Sequence, residues 1–212
     1  MTVLIEAAVE SLDAALAAAE GGAHRIELCA DLAHGGTTPR ERLIEEAVSH
    51  LKIPVFVLVR PRPGNFVYTD AEHRTMLAQI AAAKKAGAQG IVTGDLSFDR
   101  TSVLTAAARP LPVTFHRAFD AYRNLPTSLE QLIELGVERL LTSGGAPTAP
   151  EGAEQIRALV AQAKSRIVIL PGGGITPENV APLVQKTGVR EVHFSVKDKE
   201  KVRAVTKALA VL

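Results

Sequence analysis

Short runs of β-branched and apolar residues alternate with longer amphipathic stretches, and the alternation persists to the end of the chain. Strands are expected at residues 3–8, 25–30, 54–59, 90–93, 113–116, 139–142, 167–170 and 191–195, where apolar runs are bounded by turn residues. Helices are expected between them, at 11–20, 39–50, 70–86, 101–107, 128–135, 150–164, 177–186 and 198–210. Pro39, Pro150 and Pro177 sit where a first helical turn tolerates a missing N–H, and Thr38 and Thr176 precede two of them as expected caps. Gly21, Gly87, Gly136 and Gly188 follow helices as expected left-handed C-caps. Strand alternating with helix, with no linker-like stretch, implies an α/β chain with one parallel sheet. Eight units close into a single (β/α)8 TIM barrel domain over residues 1–212. An open doubly wound sheet is disfavoured, because the position for a glycine-rich loop after the first strand reads AAVES.

Active sites of such barrels lie at the C-terminal ends of the strands, and here those ends are polar. Alternation sends residues i and i+2 to one face. In RIELCA, Ile26, Leu28 and Ala30 suit the surrounding helices, while Arg25, Glu27 and Cys29 face the barrel interior. By the same argument Thr114 and His116 point inward on the fifth strand, and His193 and Ser195 on the eighth. Glu6 lies within the first strand, Arg60 ends the third, and Thr93, Thr142 and Ser143 complete a polar ring. Burying charge is costly unless it is paired. The plainer expectation is therefore an internal ion pair of Glu27 with Arg25 or Arg60, and the functional one is an acid/base pair of Glu27 and His116.

The loops point to an anion. RPRPGNF holds Arg60 and Arg62 between prolines, which pre-set φ, and HRAFD adds Arg117. Guanidinium groups bind carboxylate or phosphate in a bidentate way. After the seventh strand, LPGGGITPEN places Gly172, Gly173 and Gly174 before a helix, a phosphate-cradling arrangement where many barrels bind phosphate. TSGGA, with Ser143, offers a second open backbone. No lysine falls in a proposed strand, which disfavours Schiff-base catalysis. HExxH, GxSxG and dinucleotide patterns do not occur.

Composition narrows the partners. A net charge of +1 and 4% aromatic residues give no electrostatic or stacking platform for nucleic acid. The single cysteine forms no disulfide within the chain, and MTVLIEAAVES lacks the basic start of a secretory leader. No apolar run approaches the roughly 18–20 residues of a membrane span, so the expectation is a cytoplasmic protein whose partner is a small anionic molecule or a metal ion.

The runs RIELCADLAHGGTTPR, VRPRPGNFVYTDAE, GIVTGDL, VTFHRAFD, LLTSGGAPTA, PGGGITPENV and EVHFS resemble the CutC copper homeostasis family in order and spacing, over residues 3–195. The resemblance implies a cytoplasmic (β/α)8 barrel, a homo-oligomer, associated with copper tolerance and copper binding. It places Cys29 on the family cysteine taken as a Cu(I) ligand. The chain departs from the family pattern after the eighth strand, where HFS runs straight into VKDKEKV, and at Asp95. Cu(I) prefers soft sulfur ligands, and apart from Cys29 the body of the chain offers only Met76, expected to pack in a helix.

Overall fold

The computed structural model describes residues 2–196 and 198–212; Lys197, one of the lysines expected outside the strands, lies outside them. Strands and helices alternate without exception: β1 (Leu4–Val9), α1 (Leu12–Glu20), β2 (Arg25–Leu28), α2 (Glu41–His50), β3 (Val55–Leu58), α3 (Asp70–Lys85), β4 (Gly90–Thr93), α4 (Phe98–Ala108), β5 (Val113–Phe115), α5 (Leu125–Glu134), β6 (Arg139–Thr142), α6 (Ala153–Ala163), β7 (Val168–Pro171), α7 (Val180–Thr187), β8 (Glu191–Ser195) and α8 (Lys199–Leu209). All strand pairs are parallel, in the order β7-β6-β5-β4-β3-β2-β1-β8. The ends of this sheet meet at one bridge, Gly172 to His193, so the barrel is nearly closed with a seam between β7 and β8.

The expected strands match to within two residues, but several caps differ. α2 begins at Glu41 and α7 at Val180, so Thr38 and Thr176 are not N-caps. Thr38 instead bonds the end of β3: its hydroxyl accepts from Arg60 N–H at 2.9 Å and lies 3.2 Å from Arg60 O. Pro177 belongs to the turn before α7, and Asn179 Oδ1 accepts from Thr176 N–H within that turn. Gly21 is right-handed, with φ −71°, and the next residue, Gly22, takes the positive φ. Gly87, Gly136 and Gly188 are left-handed as expected. α4 and α5 start earlier than expected, capped by Ser97 and Asn124, whose side chains accept from the N3 amides.

Hydrophobic burial is divided unequally. The main core lies between sheet and helices, where outward residues such as Ile26, Val57, Ile91 and Leu140 meet the helix faces. Inside the barrel the apolar set is small: Cys29, Phe56, Leu58 and Val92. Ala8, Leu141 and Leu170 are buried at further inward positions, and much of the remaining interior is polar and charged. Arg25, Glu27, Glu6, His193 and Glu191 are all buried.

Phe56 forms the barrel floor. The guanidinium carbons of Arg25 and Arg139 lie 4.9 and 5.2 Å from its ring centroid, a stacking favourable to both cations. The ring also occupies the space over Gly90, where a Cβ would come within 2.5 Å of three ring carbons. Gly90→Ala is therefore expected to destabilise the fold by about 1–3 kcal/mol, the usual cost of overpacking. Urea denaturation of wild type and variant measures it, and an unchanged midpoint would remove this account of the floor.

Candidate functional site

A cavity of about 380 Å³ opens at the C-terminal ends of the strands, lined by Glu27, Arg60, His116, Arg117, His193 and Lys201 among others. Its base is a line of charge. Arg25 donates from Nε to Glu6 and from Nη2 to Glu191 at 2.6 Å. Glu6 Oε1 lies 2.7 Å from His193 Nδ1, and His193 Nε2 lies 3.5 Å from Glu27 Oε2. The expected pairing of Glu27 with Arg25 or Arg60 is not what forms: Arg25 is taken by Glu6 and Glu191, and Arg60 by backbone carbonyls. Strand register explains this. Glu6 is opposite both Arg25 on β2 and His193 on β8, so one carboxylate serves both neighbours.

The protonation states follow from this line. Arg25 and His193 hold Glu6 at about 2 despite its burial. Among the described residues, the cation nearest Glu27 is His193 at 3.5 Å; desolvation, with Glu6 nearby, pushes Glu27 up to about 7. The two carboxylates raise His193, outweighing its burial. His116 moves the other way. Burial, and then the charge of Arg60, lower it to about 3. Its Nδ1 accepts from Ala118 N–H at 3.3 Å, so the ring hydrogen sits on Nε2. That atom is buried and, among the described residues, has no partner.

The arginines have different tasks. Arg60 donates Nη1 to the carbonyls of Gly35 and Gly36 at 3.0 and 2.7 Å and Nη2 to Gly64 O at 2.9 Å, with its guanidinium 4.8 Å from the Phe66 ring centroid. It staples two loops and supplies field to His116. Arg62 lies outside the cavity. It bonds Glu72 at 2.5 Å, Asn65 and Val67, and stacks on Tyr68. Arg117 is aimed. Asp120 accepts from its Nε at 2.8 Å and Ser143 Oγ from its Nη2 at 2.7 Å, leaving Nη1 against Gly173. Ser143 is thus a support rather than a cavity residue, and it is itself held by Asp120.

The glycines following β7 act first as platforms for side chains. A Cβ on Gly172 would meet Leu141 and the His193 ring at 2.6 and 3.1 Å, and one on Gly173 would meet Arg117 Nη1 at 2.9 Å. Gly173 and Gly174 have φ of +97° and +71° and line the cavity. Among the described residues, neither N–H donates to another group of the chain. Ser195 lines the rim, and its carbonyl accepts from Lys201 Nζ at 2.9 Å. Lys201 is the charged residue of the cavity lining that strand-end reasoning missed. It lies in the first turn of α8, and the Asp198 cap that sets that turn was its only sequence signal.

Cys29 does not fit a Cu(I) site. Its side chain is wholly buried and Sγ donates to Val9 O at 3.2 Å. Burial and the charges of Glu27 and Glu10 push the thiol up, away from the thiolate a metal needs. Among the described residues, no three His, Cys, Asp or Glu side chains group together as a metal site. Met76 packs in α3 with no exposure.

Stability should vary with pH in a way these groups dictate. His116 and Glu6 are both lowered by folding, so their contributions are complete above about 6.5 and 4.5 and are lost as pH falls toward 3 and 2. Glu27 is raised, so its contribution is complete below about 4.5 and is lost as pH rises through 7. Glu27→Gln is expected to flatten the alkaline limb of the denaturation midpoint and leave the acid limb in place. Imidazole ¹⁵N spectra should show His116 as the neutral Nε2–H tautomer without titration from pH 5 to 8; a titrating His116 would contradict the assignment.

The comparisons with known proteins agree with one another. The CutC family model matches residues 3–198. A human protein named copper homeostasis protein cutC homolog is 46% identical over 200 residues, covering 92% of this chain and 73% of the relative. A Pasteurella multocida family protein CutC is 47% identical over 199 residues, covering 91% and 82%. The crystal structure of CutC from Streptococcus agalactiae superposes with TM-score 0.86 at 36% identity, covering 91% of this chain and 98% of that one. A phosphoribosylanthranilate isomerase from Thermotoga maritima shares the fold alone, at TM-score 0.64 and 13% identity. With this family match and these relatives, the chain belongs to the CutC family of copper homeostasis proteins.

Proposed function

We propose that the molecular activity of this chain is acid/base chemistry on a small anionic molecule held at the mouth of the barrel. One observation carries the reading: the carboxylate–imidazole–carboxylate line Glu6–His193–Glu27 ends at the wall of an open cavity. A buried carboxyl balanced near neutrality can accept or return a proton at physiological pH. His193 stands behind it as a proton reserve, and Glu6 anchors His193. Arg117 Nη1 and Lys201 supply positive charge on the same wall as the unengaged N–H groups of Gly173 and Gly174, which suits a phosphate or carboxylate. Arg60 acts through His116 as a positioning residue. Ser195 offers a rim hydroxyl.

Copper binding is the other activity that the family name suggests. It needs the Cys29 thiolate, and the burial of that sulfur and its hydrogen bond to Val9 work against it. In this proposal the copper association of the family reflects the consequences of the barrel's chemistry rather than a ligand set inside it.

A thermal-shift panel of phosphorylated and carboxylated metabolites tests the proposal. A ligand at 100 times its Kd should stabilise the protein by about 2.7 kcal/mol. Arg117→Gln is expected to weaken that binding by tenfold or more. A panel with no stabilising anion would overturn the reading. In parallel, wild type loaded anaerobically with Cu(I) and challenged with a chelator is expected to retain no stoichiometric copper. Copper retained by wild type and lost in Cys29→Ala would replace this reading with the metal one.

A further inference from the structure

The acid/base reading gives His116 no direct contact with the substrate. His116, a residue of the cavity wall, carries an N–H rather than a base: Nδ1 is occupied by the Ala118 amide, and Nε2 is buried and, among the described residues, unpartnered. The ring is locked in place. Phe66 lies 4.9 Å away between centroids, the Phe115 ring 5.7 Å away, and Arg60, fixed by loop carbonyls, supplies the adjacent charge. An unmet buried donor costs stability, so this one is explained by an acceptor that arrives with a ligand. β5 carries His116 three strands away from β2, which carries Glu27. A molecule in the cavity is therefore faced by a carboxylate from one side and a neutral imidazole N–H from another.

Resting on that reading, we propose that this site enolises an α-hydroxycarbonyl compound with an anionic tail, with Glu27 as the base at the carbon next to the carbonyl and His116 Nε2–H as the donor to the carbonyl oxygen. The step balances within the substrate and Glu27. The C–H bond breaks and its proton goes to the Glu27 carboxylate. Its electron pair becomes the C=C bond, and the carbonyl π pair moves onto oxygen, where Nε2–H holds the enolate. Return of the proton from Glu27 to the same carbon gives an epimer; return to the neighbouring carbon, with the enediol hydroxyl proton passing to the former carbonyl oxygen, gives an isomer, and neither needs an oxidant, reductant or second substrate. A neutral imidazole is suited to this, because it stabilises the oxyanion by hydrogen bonding from a dry, preorganised position; triosephosphate isomerase is the standard instance of a neutral histidine in this role.

The size and lining of the cavity set the substrate class. Its volume of about 380 Å³ lies at the small end of ligand pockets. The tail falls to Arg117 Nη1, Lys201 and the Gly173–Gly174 amides, and Ser195 offers a partner for a hydroxyl group. These features select short aldoses and ketoses that carry an oxyanion.

The test is proton exchange in D2O, followed by ¹H NMR, with aldose and ketose phosphates of three to six carbons and, in a second arm, the corresponding sugar carboxylates. Binding of each compound is measured in parallel by thermal shift. The expected result is loss of the α-proton signal for at least one bound compound with wild type. Glu27→Gln should bind it and exchange nothing. His116→Ala should slow exchange by about 10²-fold with binding changed only a few-fold, as for loss of one oxyanion donor, and His116→Gln, which keeps an N–H, should restore part of the rate. Compounds that bind to wild type without exchange would overturn the enolisation and leave the anion reading in place. Exchange that His116→Ala leaves unchanged would overturn the role of the donor. Failure of every compound in both arms to bind would overturn this proposal along with the reading beneath it.

Discussion

The arrangement depends on how the interior of a closed sheet is filled. Barrels of this class usually pack layers of branched aliphatic side chains inside; this one places Arg25, Glu6, Glu191, His193 and Glu27 there, with Arg139 at the floor. Each of these charges would be costly alone. They persist because strand register gives Glu6 two cationic neighbours and gives Arg25 two carboxylates. The pairing runs out at the upper end of the line. Glu27 is left with one partner, at 3.5 Å, and lies at the place where the cavity begins. The perturbed carboxyl is thus a consequence of the stacking order in the interior rather than a separate feature added to a neutral barrel.

Positive charge at the mouth is divided by the same logic of donors and acceptors. Guanidinium groups on flexible loops would lose entropy on binding, and the chain avoids this by committing most of their donors in advance. Arg60 commits Nη1 and Nη2 to carbonyls and Arg62 is held by Glu72 and carbonyls, which fixes the two loops following β2 and β3. Arg117 commits Nε and Nη2 and keeps Nη1. The seam between β7 and β8 contributes as well. Where the Gly172–His193 bridge crosses it, the backbone at Gly172 lies close under the His193 ring, an approach that a side chain at 172 would block. A loop that looks built for phosphate therefore serves to seat His193 and Arg117, and whatever anion it receives meets groups that are already oriented.

The eight-fold alternation and the inward side of each strand were legible in the sequence because both rest on periodicity and on proline and glycine punctuation. Hence Glu27, His193 and His116 could be placed at the mouth, whereas Arg25, grouped with them by the same alternation, lies at the start of β2 over the floor residue Phe56. Partner choice was not legible. Nothing local in RIELCA distinguishes an Arg25–Glu27 pair from an Arg25–Glu6 pair; the register between β1 and β2 decides it, and that is a long-range property. Thr38 before Pro39 has every local mark of a cap, yet tertiary contact with Arg60 takes its hydroxyl. Lys201 escaped because it reaches the cavity from a helix, across the turn following β8, rather than from a strand end.

Cys29 illustrates how position and chemistry separate. Alternation puts it inside the barrel, two residues along the strand from Glu27, and the structure agrees. Yet being inside means different things at adjacent levels. At the level of Glu27 the interior opens to the cavity. At Cys29 the packing of Phe56, Leu58, Val92 and Leu32 encloses an apolar pocket in which the sulfur finds one backbone carbonyl. A thiol in such a place behaves as a small hydrophobe with a weak donor. Its closeness to carboxylates raises its pKa further, whereas a metal or an adjacent cation would be needed to lower it. The same carboxylates that make the cavity suited to proton transfer thus make its one sulfur a poor ligand, and the two chemistries compete for the same few ångströms of β2.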